Sequence, residues 1–552
     1  MSTLAELQTE LAPAYVSRWS TACERVYYSI NDGPARVFGV LIGVYAAVTV
    51  VLTYIKLFWF DELITLYIAK LNSIRGVWNA LEAGADPNPP LTHVLVMVST
   101  RLLGTGPLAV RLPAILGGLL GLVCLWAFLR KRLPPLYAVV GVGFFLCTAA
   151  YDYSYEARSY ALTLGFAMLA LLSWQRAATE PRREKWLLLM ALALAAGISS
   201  NYFAVLAFFP IAAGELVRSV ERRRIDLPIW AAIAVGGLPF VFYLPLINHA
   251  ISRYAPYAWN KPKLDVISDS YEQMVEVILW PALALLAAAL AYYLRGRFRG
   301  SLNHEVLPRH EAAAVLVQMM YPFLGYGIAI ARAGMMSPRF VLPMCYGFAI
   351  AVAAASYKLF RRNAVASVLL LVLVFSWLLA RNGVVAGMYY QQRQALFAVR
   401  DSLPPAATIA VADSLLVLPL YYYSPPDLAS HIVFPLDFEA IHRFKKEDSP
   451  EQNLWAGRRV FPVPIDSLSS FQQRNGSYLI VATDRNWMVR ELAAEQVRVR
   501  RLPIDTHSEN IGGFTPLCHG QVVMFAVGDP LGENAPDKMV ASSRSFLEVR
   551  PE

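Results

Sequence analysis

Charge is what this sequence has least of. Only 16% of its 552 residues are Asp, Glu, Lys or Arg, against 57% hydrophobic, and the mean hydropathy is +0.43. Soluble domains carry about 25% charged residues. A chain this apolar would show wide greasy surfaces to water, which excludes a purely soluble protein and equally a disordered one. Cysteine is scarce too. Cys23, Cys124, Cys147, Cys345 and Cys518 form neither a CxxC pair nor a metal-ligand spacing. Cys518 stands alone in the last third, so no disulfide closes there, and structural zinc is not expected. The first twenty residues lack the basic-then-apolar order of a cleaved signal peptide. No internal repeat is visible, and there is no Asp-x-Asp.

Long apolar runs are what the chain has in abundance. A bilayer core about 30 Å thick takes about 20 mostly apolar residues per helix. Such runs fall at roughly 37–57, 108–129, 136–150, 159–175, 185–200, 202–219, 227–247, 275–294, 311–332, 340–357 and 364–385. Helices satisfy their own backbone groups in lipid, so the fold class expected is mainly α, a polytopic bundle of about eleven spans. With the N-terminus in the cytoplasm, the inner loops hold Arg130, Lys131 and Arg132; Arg176, Arg182 and Arg183; Arg218 and Arg222 to Arg224; Arg295, Arg297, Arg299 and Arg309; and Lys358, Arg361 and Arg362. The outer loops hold chiefly Arg158, Arg253, Lys261, Lys263 and Arg339. That asymmetry obeys the positive-inside rule. It accounts for much of the net charge of +9, and nucleic acid drops out as a partner.

An odd number of spans leaves the remainder of the chain outside. There, 408–412, 431–434, 478–482 and 521–527 read as strand cores, punctuated by Pro404-Pro405, Pro425-Pro426 and Asn475-Gly476. The division expected is a cytoplasmic segment 1–36, a transmembrane domain 37–386 and a small extracytoplasmic α/β domain 387–552, in the plasma (inner) membrane.

Polar residues gather on the outer side. The segment 58–107 is far too long for a mere connection, and it opens with Asp61 and Glu62 where the first span leaves the bilayer. Ile64, Tyr67, Ile68, Leu71, Ile74, Trp78 and Leu81 then recur at spacings of three and four. They predict one amphipathic helix in the interface, ending near Gly84. The prolines of Asp86-Pro87-Asn88-Pro89-Pro90 turn the chain back and bring Asp86 toward Asp61. Glu156 and Arg158 form a second cluster, Arg339 a third, and Tyr254, Tyr257 and Trp259 lie in the loop 248–274. Each has an ordinary structural reading: a helix cap or solvated charge, a turn residue, a snorkelling arginine, an aromatic belt. Together they place acids and arginines at headgroup depth, where a partly desolvated carboxylate can act as base and a fixed arginine can face phosphate. No charged residue occupies the middle of any run, whereas an ion-coupled transporter needs one near the midplane. Chemistry at the outer surface is therefore expected. A lipid-linked-sugar flippase and a receptor-like module are the rivals.

An apolar span leading into Asp61-Glu62, an amphipathic helix, Asn88-Pro-Pro-Leu91, Arg111-Leu-Pro113, Glu156-Ala-Arg-Ser-Tyr-Ala-Leu162 and Arg339-Phe-Val-Leu-Pro343 resemble membrane glycosyltransferases of the GT-C superfamily. The resemblance covers about 37–360 and points to the branch of protein O-mannosyltransferases and bacterial lipid A aminoarabinose transferases. It implies an inverting hexosyl- or pentosyltransferase that moves sugar from a polyprenyl-phosphate donor to a lipid, glycan or protein acceptor, without cofactor or metal. The catalytic candidates it implies are Asp61 as base, with Glu62 and Asp86. Many members carry Lys or His where this chain has Asn88, which leaves the donor phosphate to Arg158 and Arg339. Glu156, Asn88, His93, Tyr257 and Trp259 become candidates for positioning substrate. An undecaprenyl-diphosphate-dependent glycan ligase is the nearest enzymatic alternative.

The orientation is open to a direct test. Single cysteines at Ser219 and Ser477, in a background without native cysteines, should differ in intact cells: an impermeant thiol reagent labels position 477 and spares 219. Labelling at 219 would overturn the topology.

Overall fold

Every one of the eleven apolar runs is helical in the computed structural model, which describes residues 19–275, 278–298, 305–483, 486–502 and 522–528. Cys518, Gln521 and the N-terminal stretch 1–18 lie outside the described residues. Pro34–Ile55, Pro107–Arg130, Tyr202–Arg222 and Ala364–Asp401 are each long and apolar enough to cross a bilayer alone. Four further runs are broken: Pro135–Leu146 with Ala149–Tyr155, Leu227–Phe242 with Leu244–Tyr257, Asp265–Val275 with Leu279–Ala291, and Arg309–Met319 with Tyr321–Arg332. Two of these breaks sit directly before Pro245 and Pro322, which supply no N–H to continue the helical ladder. Length and composition thus give four spans, or eight with each bent pair joined. The other three runs form helices of 17 or 18 residues. The chain is a multi-pass membrane protein.

Pro107–Arg130 and Tyr160–Ala177 meet backbone to backbone. A Cβ on Gly165 would lie 2.4 Å from the Gly117 carbonyl oxygen. In lipid, where apolar burial drives little, such close approach over small residues is a main source of helix association. At one end of the bundle the basic loops are knitted together. Arg132 pairs with Glu311 at 2.5 Å, Arg183 with Asp226 at 2.7 Å, and Arg218 with Asp226 at 2.6 Å and Glu215 at 2.9 Å.

At the other end sits a six-stranded sheet: β1 (Ile409–Val411), β2 (Ile432–Leu436), β3 (Ile465–Ser467), β4 (Tyr478–Thr483), β5 (Val499–Leu502) and β6 (Val522–Val527), in the order β3-β2-β1-β4-β6-β5. The first four in that order run parallel; β6 is antiparallel to β4, and β5 to β6. The central strands are apolar on both faces, as a covered parallel sheet requires. The four predicted strand cores are β1, β2, β4 and β6. The strands β3 and β5 escape prediction because one is three half-buried residues and the other carries Arg500 and Arg501. Ala364–Asp401 is one helix of 38 residues, so the expected boundary at 386 falls inside it.

The first outer segment departs from its expectation. Its predicted single amphipathic helix is two, Phe60–Ala69 and Ile74–Glu82, and a third helix, Leu91–Leu103, follows the proline turn. The break falls at Asn72, in the left-handed region at φ 56°, a conformation asparagine tolerates better than most residues. Ser73 then caps the second helix, accepting from the Gly76 N–H at 2.9 Å. The first helix does not lie on lipid. Leu63, Ile64, Leu66 and Ile68 share a core with Leu416 and Leu420 of the C-terminal domain, and the Phe58 N–H donates to Tyr423 Oη at 2.8 Å.

Gly165→Ala should lower stability by about 1–3 kcal/mol, the usual range for overpacking, because the clashing atom is backbone. Gly43→Ala, with nothing within 4 Å of its Cβ, should leave stability unchanged. Thermal unfolding of the two variants in detergent checks this.

Candidate active site

The site is built on a buried ion pair. Arg111, on the second turn of Pro107–Arg130, and Glu62, on the first turn of Phe60–Ala69, are both fully buried. The guanidinium uses all five of its N–H groups. Nε and Nη2 donate to the two Glu62 oxygens at 2.7 Å each, Nη1 to Thr53 O at 2.6 Å and Lys56 O at 2.9 Å, and Nη2 to Leu57 O at 3.0 Å. Glu62 also accepts from the Ala157 N–H at 2.8 Å. Burial pushes the Glu62 carboxyl up, but Arg111 outweighs it and holds the group below its ordinary value. One pair therefore joins the end of the first span, the acidic helix and the segment that carries Arg158.

Arg158 in turn joins the other two carboxylates. Its Nη1 donates to Asp86 Oδ2 at 2.6 Å and to the Asp61 backbone carbonyl at 3.2 Å, while Nη2 lies 3.7 Å from Asp61 Oδ2. Asp86 is further held by the Asn88 backbone N–H at 2.9 Å and side-chain amide at 2.6 Å, and His93 Nε2 lies 3.4 Å from its Oδ2. Burial pushes the Asp86 carboxyl up, yet Arg158, with His93 and Asn88, holds it well below the carboxylate range. Ser159 and Asn201 close this network, Asn201 Nδ2 donating to Ser159 Oγ at 3.1 Å.

Asp61 differs from its neighbours. Its side chain is 13% exposed against 0% for Glu62 and 1% for Asp86, and among the described residues its charged partners are the two arginines, each at 3.7 Å. Arg339, on the turn Pro338–Val341, also reaches Asp61 Oδ2, at 3.7 Å. It stands between the rings of Tyr160 at 5.7 Å and Trp259 at 5.5 Å. The Nε atoms of both Arg158 and Arg339 are buried without a hydrogen-bond partner among the described residues. Each of the two cations beside Asp61 thus keeps one buried donor unused.

Of the residues singled out in the sequence, Asp61, Asp86, Asn88, His93, Arg158, Arg339 and Trp259 converge here. Glu62 backs the cluster from within. Glu156 faces the other way, paired with Lys56 beneath the Tyr155 and Tyr389 rings. Tyr257 points to the C-terminal domain, stacked on His442. Sequence reasoning missed Arg111, Lys56, Ser159 and Asn201. Arg111 and Ser159 stood inside noted motifs; nothing local marks Lys56 or Asn201. A small cleft behind the Asp86 turn is lined by Asn88, Tyr202, Leu246, His249 and Tyr254. Among the described residues no three His, Cys, Asp or Glu are grouped to hold a metal ion.

ArnT from Cupriavidus metallidurans, in the apo state, superposes with a TM-score of 0.53 at 13% identity, over 89% of this chain and 98% of that one. The structure of that protein bound to undecaprenyl phosphate gives 0.53 and 13%, over 90% and 99%. Residues 87–247 match the family model described as dolichyl-phosphate-mannose-protein mannosyltransferase; that stretch includes Asn88, His93, Arg111, Glu156 and Arg158. No curated protein sequence matches the chain. The chain thus shares the fold of ArnT, and its residues 87–247 resemble the mannosyltransferase family.

Because the folded Asp86 carboxyl is held below its ordinary value, its stabilising contribution is complete above about pH 3.9 and lost as pH falls below that. Asp86→Asn should therefore lower the thermal midpoint at pH 7. The gap to wild type should stay constant down to about pH 5 and close only in stronger acid, which unfolding scans across pH would show.

Proposed function

We propose that the protein is an inverting glycosyltransferase that moves a hexosyl or pentosyl group from a polyprenyl-phosphate donor to a lipid, glycan or protein acceptor at the extracytoplasmic face of the inner membrane. The observation that carries this is Asp61: an accessible carboxylate held loosely, at 3.7 Å, between two arginines that keep unused donors. A donor phosphate entering between Arg158 and Arg339 takes over the counter-charge that Asp61 provides and leaves that carboxylate facing the sugar. The acceptor then approaches the anomeric carbon from the Asp61 side. Its O–H or N–H proton passes to Asp61 as the new bond forms, and the sugar–phosphate C–O bond breaks with its electron pair going to the phosphate. The arginines stabilise the charge that departs. The lipid tail stays in the bilayer throughout.

The three carboxylates divide accordingly. Glu62 is fully buried with both oxygens committed to Arg111, and Asp86 serves to aim Arg158; both fix geometry. Undecaprenyl phosphate in the ArnT structure supports the lipid class of the donor.

Purified variants test the reading with donor binding and transfer measured separately. Asp61→Asn should bind donor yet lose transfer by about a hundredfold or more, the scale of a positioned base. Arg158→Ala and Arg339→Ala should each weaken donor use about tenfold or more, with Lys restoring only part of it. An Asp61→Asn enzyme with near-normal turnover would remove the base from the mechanism.

A further inference from the structure

We propose that the C-terminal domain sets the outer wall of the site through a clamp on Tyr257, with His442 and Asp448 as positioning residues. The inference rests on the roles given above to Arg339 and Asp61. The Tyr257 ring lies face to face with the His442 imidazole, centroids 3.6 Å apart and planes within 8°. His442 Nε2 is 2.8 Å from Asp448 Oδ2, which also accepts from Gln452 Nε2 at 2.9 Å. The Asp448 backbone N–H donates to the Tyr257 carbonyl at 3.1 Å. Ring and backbone of one loop residue are thus held by two short helices, Phe438–Phe444 and Ser449–Ala456.

That loop residue sits where the site is assembled. Two positions on, Trp259 covers Arg339; one further, the Asn260 carbonyl accepts from the Met336 N–H at 2.8 Å, just ahead of the Arg339 turn. On the other side, Tyr254 Oη donates to Gly84 O and Arg253 Nη1 to Ala83 O at 3.2 Å, in the turn that carries Asp86. The segment 253–260 therefore touches the supports of both Asp86 and Arg339, and its third attachment is the C-terminal domain. A loop keeps its geometry only through such contacts. Without the clamp Trp259 is released from Arg339, and the guanidinium keeps one ring face instead of two. His442 and Asp448 touch no substrate; they act through Trp259 and Arg339.

The full-length protein in nanodiscs decides this by two readouts: hydrogen exchange over 253–262 and 336–342, and the donor KM measured apart from kcat with a polyprenyl-phosphate sugar. His442→Ala should speed exchange in both segments and raise donor KM about two- to tenfold, the range of one aromatic contact, with kcat within about twofold. His442→Phe, which keeps a stacking ring, should restore both. Arg443→Ala, directed at Glu491 on the neighbouring helix, should leave both at wild type. If His442→Ala does not fold, Tyr257→Ala against Tyr257→Phe reads the same contact from the other side. A normal donor KM in the active alanine variant, or a rise that Phe does not restore, overturns the clamp. A wild-type protein that takes nothing from polyprenyl phosphate overturns the function instead; unchanged exchange in His442→Ala would then still refute the clamp.

Discussion

Glu62 and Arg111 are withdrawn from solvent entirely, and taking two charges out of water costs several kcal/mol per ion. Here the cost is offset by saturation: five N–H donors meet five acceptors, and the carboxylate gains a third hydrogen bond from the Ala157 N–H. Three of those acceptors are backbone carbonyls where the first span ends. A pair so placed is a corner joint. It fixes the exit of one membrane helix, the start of the acidic helix and the segment 156–158 relative to each other, and Asp61 and Arg158 are each one residue from a joined atom. The looseness of Asp61 has meaning only because everything adjacent to it is rigid.

The acidic helix has a second neighbour in the C-terminal domain, whose helix Ser414–Tyr423 packs on its apolar side. The soluble-looking part of the chain is therefore no appendage. Its apolar core runs without interruption into the segment that carries Asp61 and Glu62.

Much of this was legible in the sequence. Apolar length found all eleven helical runs, and charge asymmetry grouped the basic loops that Arg132, Arg183 and Arg218 knit together. The spacing of acids and arginines found the cluster around Asp61. What failed was whatever depends on a distant partner. Periodicity from Ile64 to Leu81 implied one helix on lipid, because a hydrophobic face looks the same whether membrane or protein covers it; the break needed only Asn72 and a cap at Ser73. Arg111 lies 49 positions from Glu62 and Tyr257 far from His442, so neither partnership leaves a local trace. Tyr257 and Trp259 read alike in sequence, yet one serves the domain joint and the other the site.

The helix Ala364–Asp401 carries a consequence of its own. At about 1.5 Å per residue its 38 residues reach about 57 Å, against a hydrocarbon core of about 30 Å. Roughly half of its length is more than such a core takes up, and the helix is stayed as a mast by Arg381 against Asp152 and by Tyr389 against Tyr155. The sheet follows after a few residues, so the mast fixes both the height and the bearing of the domain above the membrane. One residue inserted into its upper half would turn the domain by about 100° and lift it by about 1.5 Å. A stretch that looks like plain spacer is in this sense phase-locked to the bundle, and its length is as constrained as the identity of any side chain it sets in place.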